Sequence, residues 1–309
     1  MERRYNSFGS YIKKQLGTTV YKVNVDAGFT CPNRDGTVGT SGCIYCNNDS
    51  FRPNSCRPTL PLKEQISNGI AYIKKRYRAE KFLVYFQPYT NTYAPVHELE
   101  HIYREALSEP SVVGLAIGTR PDTVDEEKID LLQSLSERYF ILVEYGMQSM
   151  YDRTLEFINR GHDYDTFRKA LDLTKDRGIM IGVHIIVGFP TETREEMLSM
   201  ADELSQLPVE FLKIHQLQVI RDTPLEAVYR ENPFHVFGYD EYIEFVAAFI
   251  ERLSPSIVLQ RLFATAPDSI LIAPRWDKSR QEILRDIERR LELRDTFQGK
   301  KMKIHAGIK

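Results

Sequence analysis

Short apolar runs alternate with helix-spaced apolar patterns along most of this 309-residue chain. Six runs rich in β-branched and aromatic residues predict β-strands, and a seventh run at 257–263 is a further candidate. The six predicted strands span 20–27, 82–86, 112–117, 140–145, 180–187 and 212–219. Several of these runs are apolar nearly throughout, which is expected when both faces of a strand are covered.

Between the strands, apolar residues recur with the three- and four-residue spacing of amphipathic helices. The predicted helices span 62–78, 97–107, 126–138, 164–177, 194–206 and 239–253. Capping signals agree, because Thr193 and Glu196 form a T-x-x-E capping box and Gly178 stands where a helix C-cap is expected. A basic amphipathic helix is predicted near the end of the chain, at 277–294.

Strands that alternate with helices indicate βα units, and therefore a parallel sheet with helices outside it. Six units are fewer than the eight of a complete barrel, so the sequence predicts an α/β fold of the partial (βα)6 TIM-barrel type. A doubly wound sheet is the alternative. The predicted domains are a basic N-terminal segment (1–19), the core barrel (20–255) and a C-terminal extension with the basic helix (256–309).

The composition is that of a globular protein, with 42% hydrophobic and 27% charged residues. Apolar runs such as Ile185–Val187 are far shorter than the roughly 20 residues that span a bilayer. The N-terminus also lacks the apolar segment of a signal peptide. We therefore expect a cytoplasmic protein with no membrane partner.

The net charge of −2 hides an uneven distribution of charged residues. Residues 1–60 carry eight Lys or Arg and four Asp or Glu, and residues 275–309 carry eleven and six. The two ends therefore sum to +9 and the middle of the chain to −11. Ends of this kind can hold a polyanion, although a solvated, arginine-rich terminal helix accounts for the same charges.

Three of the four cysteines lie in one loop, CPNRDGTVGTSGCIYC, which follows the first predicted strand. In a βα barrel, the loops after the strands carry the chemistry. Cys31, Cys43 and Cys46 can bind three irons of a four-iron, four-sulfur cluster and leave the fourth iron open to a substrate atom. The alternative is a closed zinc site with Cys56 as fourth ligand, although only Cys43 and Cys46 form a close doublet.

The cysteine loop and several later motifs resemble the radical SAM superfamily. The C-x11-C-x2-C spacing is similar to that of the Elongator catalytic subunit and its relatives, whereas the usual spacing is C-x3-C-x2-C. Five further motifs resemble the bacterial YtqA/YhcC-like group: YFQPYTNTYAP (85–95), TRPD (119–122), EYGMQS (144–149), NRGHDY (159–164) and HIIVGFPTET (184–193). The resemblance runs over nearly the whole chain and implies a radical SAM core barrel.

The resemblance implies a [4Fe-4S] cluster and S-adenosylmethionine as cofactors, with Cys31, Cys43 and Cys46 as the cluster ligands. The residues that would contact S-adenosylmethionine are Tyr45, Gln87, Glu144, Gln148, Arg160, Gly188 and Pro190. No catalytic residue beyond the cysteine loop is implied.

Several of these residues also have a plainer interpretation. Tyr45 would lie beside the adenine, or simply pack within the loop. Glu144 would accept hydrogen bonds from sugar hydroxyls or an ammonium, or form a structural ion pair. Arg160 would pair with the methionyl carboxylate, a contact that suits a guanidinium. Gly188 would let the backbone approach the adenine, or serve a strand-to-helix turn.

One motif of the family is missing. Many members carry a GGE-like motif after the second strand, which binds the amino group of the cofactor, whereas this sequence has FQPYTNT. The polar residues available there are Gln87, Thr90, Asn91 and Thr92. Which of them substitutes is open.

The resemblance implies reductive cleavage of S-adenosylmethionine to a 5′-deoxyadenosyl radical, with an external flavodoxin- or ferredoxin-like electron donor. The YtqA-like motifs also imply a tRNA substrate and modification of the C5 side chain of the wobble uridine. The alternatives are a peptide or small metabolite as substrate, or a non-catalytic zinc protein that binds nucleic acid.

A tRNA substrate would give the basic chain ends a role, because phosphate neutralisation supplies most non-specific affinity. The candidate phosphate contacts are Arg3, Arg4, Lys13, Lys14, Arg285, Arg289, Arg290, Lys300, Lys301 and Lys303.

Overall fold

Seven parallel strands form one sheet in the computed structural model, which describes residues 3–47 and 59–303. The strands are β1 (Val20–Val25), β2 (Lys81–Phe86), β3 (Val112–Thr119), β4 (Phe140–Gln148), β5 (Met180–Val187), β6 (Phe211–Gln216) and β8 (Val258–Arg261). They follow the order β1-β2-β3-β4-β5-β6-β8, and each neighbouring pair is parallel. A second sheet pairs β7 (Val219–Ile220) with β9 (Leu271–Ala273) in antiparallel fashion.

Helices cover the outer face of the large sheet. The α-helices are α1 (Phe8–Leu16), α2 (Leu62–Arg76), α3 (Val96–Leu107), α4 (Glu126–Ser136), α5 (Asp152–Phe157), α6 (Tyr164–Thr174), α7 (Arg194–Leu204), α8 (Pro224–Glu231), α9 (Tyr239–Arg252) and α10 (Arg280–Leu293). The capping box at Thr193 is confirmed. Gly178 has a φ of 70°, but it lies in the turn before β5, because α6 ends at Thr174.

The prediction of a partial barrel is confirmed, and the seventh candidate strand is real. The strand order is linear, so the sheet is a curled half-barrel with β1 and β8 at its two edges. Helix α1 contacts both edges. A side-chain hydrogen bond also joins the two edge strands, since Nζ of Lys22 on β1 donates to Oε1 of Gln260 on β8 at 2.6 Å.

The inner face of the half-barrel is apolar at the amino ends of the strands. Phe211, which is fully buried, is surrounded there by the rings of Phe8, Tyr11 and Phe140, with centroids 5.7, 5.2 and 6.2 Å away. Two of these rings belong to α1, so the helix closes this end of the half-barrel as a floor. The interior therefore opens towards the carboxyl ends of the strands.

The two ends of the chain meet beside the floor. The backbone N–H of Gln298 donates to Arg4 O at 2.9 Å, and the N–H of Asn6 donates to Gln298 Oε1 at 2.8 Å. Helix α10 packs on α9. The predicted domain boundaries at 19/20 and 255/256 stay predictions. Across residues 3–47 and 59–303, the structure contains no helix with the length and apolar character that crossing a membrane requires.

Candidate functional site

A pocket of about 230 Å³ opens at the carboxyl ends of the strands, on the inner face of the half-barrel. The predicted site residues that line it are Cys31, Cys43, Cys46, Tyr45, Gln87, Glu144, Gln148 and Arg160. The fold therefore brings the cysteine loop together with side chains from later segments of the chain. Gly188 and Pro190 do not belong to this lining.

The cysteine loop is held in place by bonds to distant elements. Ile44 N donates to Ile158 O at 3.0 Å, and Leu225 N donates to Ile44 O at 2.9 Å. On the other side, Asn159 Nδ2 donates to Gly42 O at 2.8 Å. These bonds fix the loop between the end of α5 and the start of α8, so its thiols are presented to the pocket by the tertiary structure.

Donor groups lie beside Cys43 and Cys46. Arg160 Nη1 donates to Cys43 Sγ at 3.5 Å, and Asn33 Nδ2 donates to the same sulfur at 3.8 Å. Arg34 donates to Cys46 O at 2.9 Å. Burial and the neighbouring Cys43 raise the pKa of the Cys46 thiol, while Arg34 acts to lower it. Donors of this kind stabilise thiolates, which are the form that binds iron.

Arg160 is buried with part of its hydrogen-bonding capacity unused. Its Nη2 donates to Gly146 O at 2.7 Å, but its Nε has no partner among the described residues. Gly146 makes room for this arrangement, because a Cβ there would lie 2.8 Å from Arg160 Nη2 and 2.5 Å from Gln148 Nε2. A buried guanidinium with an unmet donor fits the predicted methionyl carboxylate.

Gln148 enters the pocket through a β-bulge. The pairing of β4 with β5 shifts between Gly146 and Gln148, and Gln148 has a φ of 67°. Residues other than glycine rarely adopt this left-handed conformation, and bulges of this kind re-aim side chains next to functional sites. Nothing in the sequence pattern predicts the bulge.

The structure reduces the number of residues that could replace the missing GGE-like motif. Gln87 and Thr90 line the pocket, and Asn24 Nδ2 donates to Gln87 Oε1 at 2.9 Å. Asn91 instead donates to three backbone carbonyls, and Thr92 bonds two neighbouring threonine hydroxyls. Asn91 and Thr92 therefore hold the loop together, which leaves Gln87 and Thr90 as candidates for binding the amino group.

The motif after β5 contacts the cysteine loop through Phe189. Gly188 has a φ of 101°, and a Cβ there would lie 3.1 Å from the Phe237 ring, so glycine is required by the turn itself. Pro190 is exposed. Between them, Phe189 packs against Tyr45 with ring centroids 6.3 Å apart. Contact of Gly188 and Pro190 with the adenine stays a prediction.

Glu144 lies at the centre of a buried ionic cluster. Its Oε2 accepts from Lys213 Nζ at 2.5 Å and lies 3.3 Å from His184 Nε2, and its Oε1 accepts from Lys22 Nζ at 3.1 Å. Burial acts to raise the pKa of Glu144, but the two ammonium groups outweigh it and hold this pKa well below the usual range. Glu144 thus forms the ion pair that the sequence left as an alternative, and its contact with the cofactor stays a prediction.

Sequence reasoning missed several residues of the pocket. Arg120 is buried and pairs with Asp122 through two hydrogen bonds of 2.8 and 2.7 Å. His215 and Arg261 also line the pocket, and Arg261 Nη1 lies 3.4 Å from His215 Nε2. The sequence held one signal for this wall, because Lys213 and His215 are polar at alternating positions of β6, on either side of the apolar Ile214.

Residues 3–47 and 59–303 contain no group of three or more cysteine, histidine or acidic side chains that could together bind a single metal ion. A four-iron cluster does not need such convergence, because each thiolate binds a different iron. Cys56, the fourth ligand of the zinc alternative, lies outside the described residues. The three thiols, their donors and the unpaired Arg160 Nε fit a [4Fe-4S] cluster with S-adenosylmethionine.

Most of the predicted phosphate contacts are already ion-paired. The pairs are Arg3–Glu288, Arg4–Asp295, Arg285–Asp286, Arg290–Glu244, Lys301–Glu251 and Lys303–Asp202. Within the part of the chain that the structure describes, Lys13, Lys14, Arg289 and Lys300 are exposed without a carboxylate partner, although Lys300 donates to the backbone carbonyl of Asp295. Lys13 and Lys14 belong to α1, so they lie at the floor end, away from the mouth of the pocket.

Other basic residues lie nearer the mouth. Arg275 and Lys278 line a second cavity of about 260 Å³, which shares Gln216 and Gln218 with the pocket. Arg221 follows β7, next to this region. Arg221, Arg275 and Lys278 are exposed, and none has a carboxylate partner within the described ranges. They form a second set of candidates for contacting a polyanion.

Two family profiles match the chain. The profile of the Radical SAM superfamily matches residues 31–204, and that of the Radical_SAM C-terminal domain matches residues 209–293. Together they cover the cysteine loop, most of the half-barrel and α10.

Similar proteins cover either the whole chain or half of it. Uncharacterized protein MJ0486 of Methanocaldococcus jannaschii is 39% identical over 300 residues, which are 96% of this chain and 91% of that protein. Protein YtqA of Bacillus subtilis is 33% identical over 302 residues, with coverages of 97% and 93%. The tRNA uridine(34) acetyltransferase of M. jannaschii is 28% identical over 169 residues, which are 53% of this chain and 30% of that protein.

The fold is also found in a solved structure. The archaeal Elp3 of Methanocaldococcus infernus superposes with a TM-score of 0.69 at 19% sequence identity, covering 90% of this chain and 64% of that chain.

Proposed function

The chain belongs to the radical SAM superfamily, and from this premise we propose that it cleaves S-adenosylmethionine reductively at a [4Fe-4S] cluster bound by Cys31, Cys43 and Cys46. When bound, the cluster supplies the low-potential electron that breaking the C–S bond of the sulfonium requires, and the product is a 5′-deoxyadenosyl radical. An external flavodoxin- or ferredoxin-like protein donates that electron.

The observation that carries this proposal is the convergence of the cysteine loop with polar groups from later strands on one pocket. Arg160 holds the methionyl carboxylate through its unpaired Nε, and Gln87 or Thr90 accepts from the amino group. Gln148 bonds the ribose, and Tyr45 lies along the adenine. The apolar floor keeps water from entering the half-barrel from below.

Cleavage is tested with protein reconstituted anaerobically with iron and sulfide, then given a reductant and S-adenosylmethionine. We expect the original chain to form 5′-deoxyadenosine and Cys43→Ala to form none above background. Cys56→Ala is the matched control and is expected to keep most of the activity. Full activity of Cys43→Ala would refute the ligand assignment, and colourless protein that holds only zinc would favour the non-catalytic alternative.

The substrate that we propose is tRNA, with the C5 side chain of the wobble uridine as the group modified. The similarity to a tRNA uridine(34) acetyltransferase over half of this chain supports a tRNA substrate. The basic residues near the mouth of the pocket that have no carboxylate partner within 3–47 and 59–303 support a polyanionic partner as well. A peptide or a small metabolite is the alternative substrate for the same radical chemistry.

The substrate is tested by incubating the reconstituted enzyme with tRNA from a strain that lacks this protein. Mass spectrometry of the digested nucleosides is expected to show a change at the wobble uridine, and tRNA from the parent strain is the control. If 5′-deoxyadenosine forms but no nucleoside changes, the radical chemistry stands and the tRNA substrate is wrong.

A further inference from the structure

Four arginines of the described residues line the pocket, and they differ in what they bind. Arg120 pairs with a carboxylate, Arg160 bonds a thiol and a backbone carbonyl, and Arg34 bonds a carbonyl of the cysteine loop. Arg261, at the end of β8, has no carboxylate partner among the described residues. Its Nη1 lies 3.4 Å from Nε2 of His215.

The wall around Arg261 is short of negative charge. Glu144 is the one acidic residue that lines the pocket within the described ranges, and Lys213 and Lys22 share it. Burial and the charge of Arg261 hold the pKa of His215 well below its usual range, so His215 is neutral at pH 7. Lys22, Lys213 and Arg261 therefore stand beside a single carboxylate, although burial lowers the pKa of both lysines, and that of Lys213 well below its usual range.

The two lysines have little capacity left for a ligand. Lys213 Nζ donates to Glu144 and to Tyr85 Oη at 2.8 Å, and Lys22 Nζ donates to Glu144 and to Gln260 Oε1 at 2.6 Å. Among these three side chains, the guanidinium of Arg261 is thus the one with the most donors that lack a partner within the described residues. Its planar fork can bind two oxygens of a carboxylate or of a phosphate. One guanidinium balances the single charge of a carboxylate, whereas a phosphate dianion would need a second free cation.

Arg261 also lies on a different wall from the arginine predicted to bind the cofactor. Arg160 rests on Gly146 of β4, and three strand spacings separate β4 from β8 along the sheet. At about 4.8 Å per spacing, this is about 14 Å around the curved sheet. The pocket therefore offers two separate anion-binding groups, one beside the cysteine loop and one on the wall opposite.

We propose that Arg261, backed by His215, binds a carboxylate of the substrate, and that the reacting part of the substrate therefore carries such a group. This inference rests on the proposed function in one respect, which is that substrate and cofactor bind in the same pocket. It assigns Arg261 as a specificity-determining residue for which the family motifs in this sequence give no role.

The site is tested by thermal unfolding of the full chain without cofactors, at constant ionic strength, with acetate as the probe. Acetamide is the uncharged isostere. We expect acetate to raise the unfolding temperature in a saturable way and acetamide to have no effect, because a ligand that binds only the folded state stabilises it. This comparison needs no variant, so it does not depend on how well a variant folds.

The variant Arg261→Gln is expected to weaken acetate binding by about 10-fold or more, since a charge-assisted hydrogen bond is removed. Arg289→Gln, at an exposed arginine on α10, is the control and should bind acetate as the original chain does. Equal effects of acetate and acetamide, or unchanged acetate binding by Arg261→Gln, would show the proposal to be wrong.

Two further outcomes would also overturn it. If inorganic phosphate binds more tightly than acetate, the ligand of Arg261 is a phosphate and not a carboxylate. If S-adenosylmethionine displaces from the reconstituted protein the acetate whose binding Arg261→Gln weakens, the site belongs to the cofactor. None of the acetate measurements requires cofactor cleavage. A failed cleavage assay would therefore refute the proposed function and leave the acetate result intact. A failed acetate experiment would refute the role of Arg261 and leave the cleavage result intact.

Discussion

Arg160 reaches the pocket by lying against the backbone of Gly146, where a side chain of any size would occupy the same space. Two neighbours, Arg160 and Gln148, depend on this gap, and Gln148 depends on the bulge beside it as well. The chemistry of the site therefore rests on a residue that has no functional group. The motif EYGMQS contains this glycine, but its spacing alone does not reveal why glycine is required.

We expect Gly146→Ala to lower the rate of 5′-deoxyadenosine formation by about 100-fold, since displacement by about 1 Å of a positioning group costs this much. The added methyl group would lie 2.8 Å from Arg160 Nη2, so the guanidinium must move. The rate is measured with reconstituted protein and saturating reductant. Gly9→Ala is the matched control, because a Cβ there meets nothing within 4 Å. A Gly146→Ala variant as active as Gly9→Ala would contradict this account of the pocket.

Glu144 illustrates how tertiary partners decide the role of a residue. Its place in a family motif indicated a cofactor contact, but in the folded chain two lysines from β1 and β6 neutralise it. A carboxylate taken out of water needs such partners, and they come from segments 122 residues before it and 69 residues after it. No local pattern connects residues at those separations.

At the scale of single elements, α1 completes the half-barrel. The helix places Phe8 and Tyr11 against Phe211 at the start of β6, where an open barrel would expose apolar surface. Its sequence, FGSYIKKQL, is too short and too polar to stand out as a helix. The helix forms because the exposed floor offers an apolar surface on which it packs.

The variant Phe211→Ala is expected to lower the free energy of unfolding by about 3–5 kcal/mol, because a fully buried ring is removed from between three others. Urea unfolding followed by circular dichroism measures the change. Phe297→Ala is the control, since Phe297 is 52% exposed, and we expect it to shift stability by less than about 0.5 kcal/mol. Similar losses for the two variants would mean that α1 does not seal the floor as described.

Strands β5 and β6 carry histidines that the fold keeps neutral. Burial, followed by the charge of Lys213, lowers the pKa of His184 from 6.5 to about 4, although Glu144 acts to raise it. Burial and Arg261 lower the pKa of His215 as well. Both imidazoles therefore bind a proton more readily in the unfolded chain than in the folded one.

The free energy of unfolding is expected to fall as the pH drops from about 6.5 towards 4, because the unfolded state takes up more protons in this window. Above this pH window, both histidines are neutral in the folded and in the unfolded state, so their contribution to the free energy of unfolding is constant. Urea unfolding at several pH values between about 7 and 5 measures the slope, and His184→Asn should make it shallower. His97→Asn, at an exposed position, should leave the slope unchanged; a His184→Asn slope equal to it would contradict the assignment.

At the scale of the whole molecule, the fold changes the meaning of the charge distribution. The basic chain ends are adjacent in space, but most of the phosphate contacts predicted there pair with carboxylates, and α1 lies at the floor. The basic residues near the mouth of the pocket, which have no carboxylate partner among the residues that the structure describes, come from the segments that follow β7 and β9. A tRNA that presents a nucleotide to the pocket would meet these residues first.

We expect the double variant Arg221→Gln, Lys278→Gln to bind tRNA more weakly. The slope of log K against log salt should also become shallower, by about 1 for each phosphate that the variant no longer neutralises. Binding is measured by filter retention or fluorescence anisotropy at several salt concentrations. The double variant Lys13→Gln, Lys14→Gln is the control, with the same change of charge at the floor end. If only the Lys13→Gln, Lys14→Gln variant makes the slope of log K against log salt shallower, tRNA binds at the chain ends, as the sequence alone predicts.

The sequence by itself determined the βα alternation, the partial barrel and the identity of the cysteine loop. Strands such as β5 were predicted with their observed bounds, because a strand covered on both faces must be apolar along its whole length. The resemblance in the motifs also selected Gln148 and Arg160, which the structure places in the pocket.

The tertiary structure alone decided the short elements and the inner wall of the pocket. Helices α5 and α8 and strands β7 and β9 are too short to be stable apart from the surfaces they cover, so local sequence does not encode them. The cluster around Glu144 and the unpaired Arg261 bring together strands from opposite ends of the chain. The charges that meet inside a barrel depend on which strands become neighbours, and the strands become neighbours only when the chain folds.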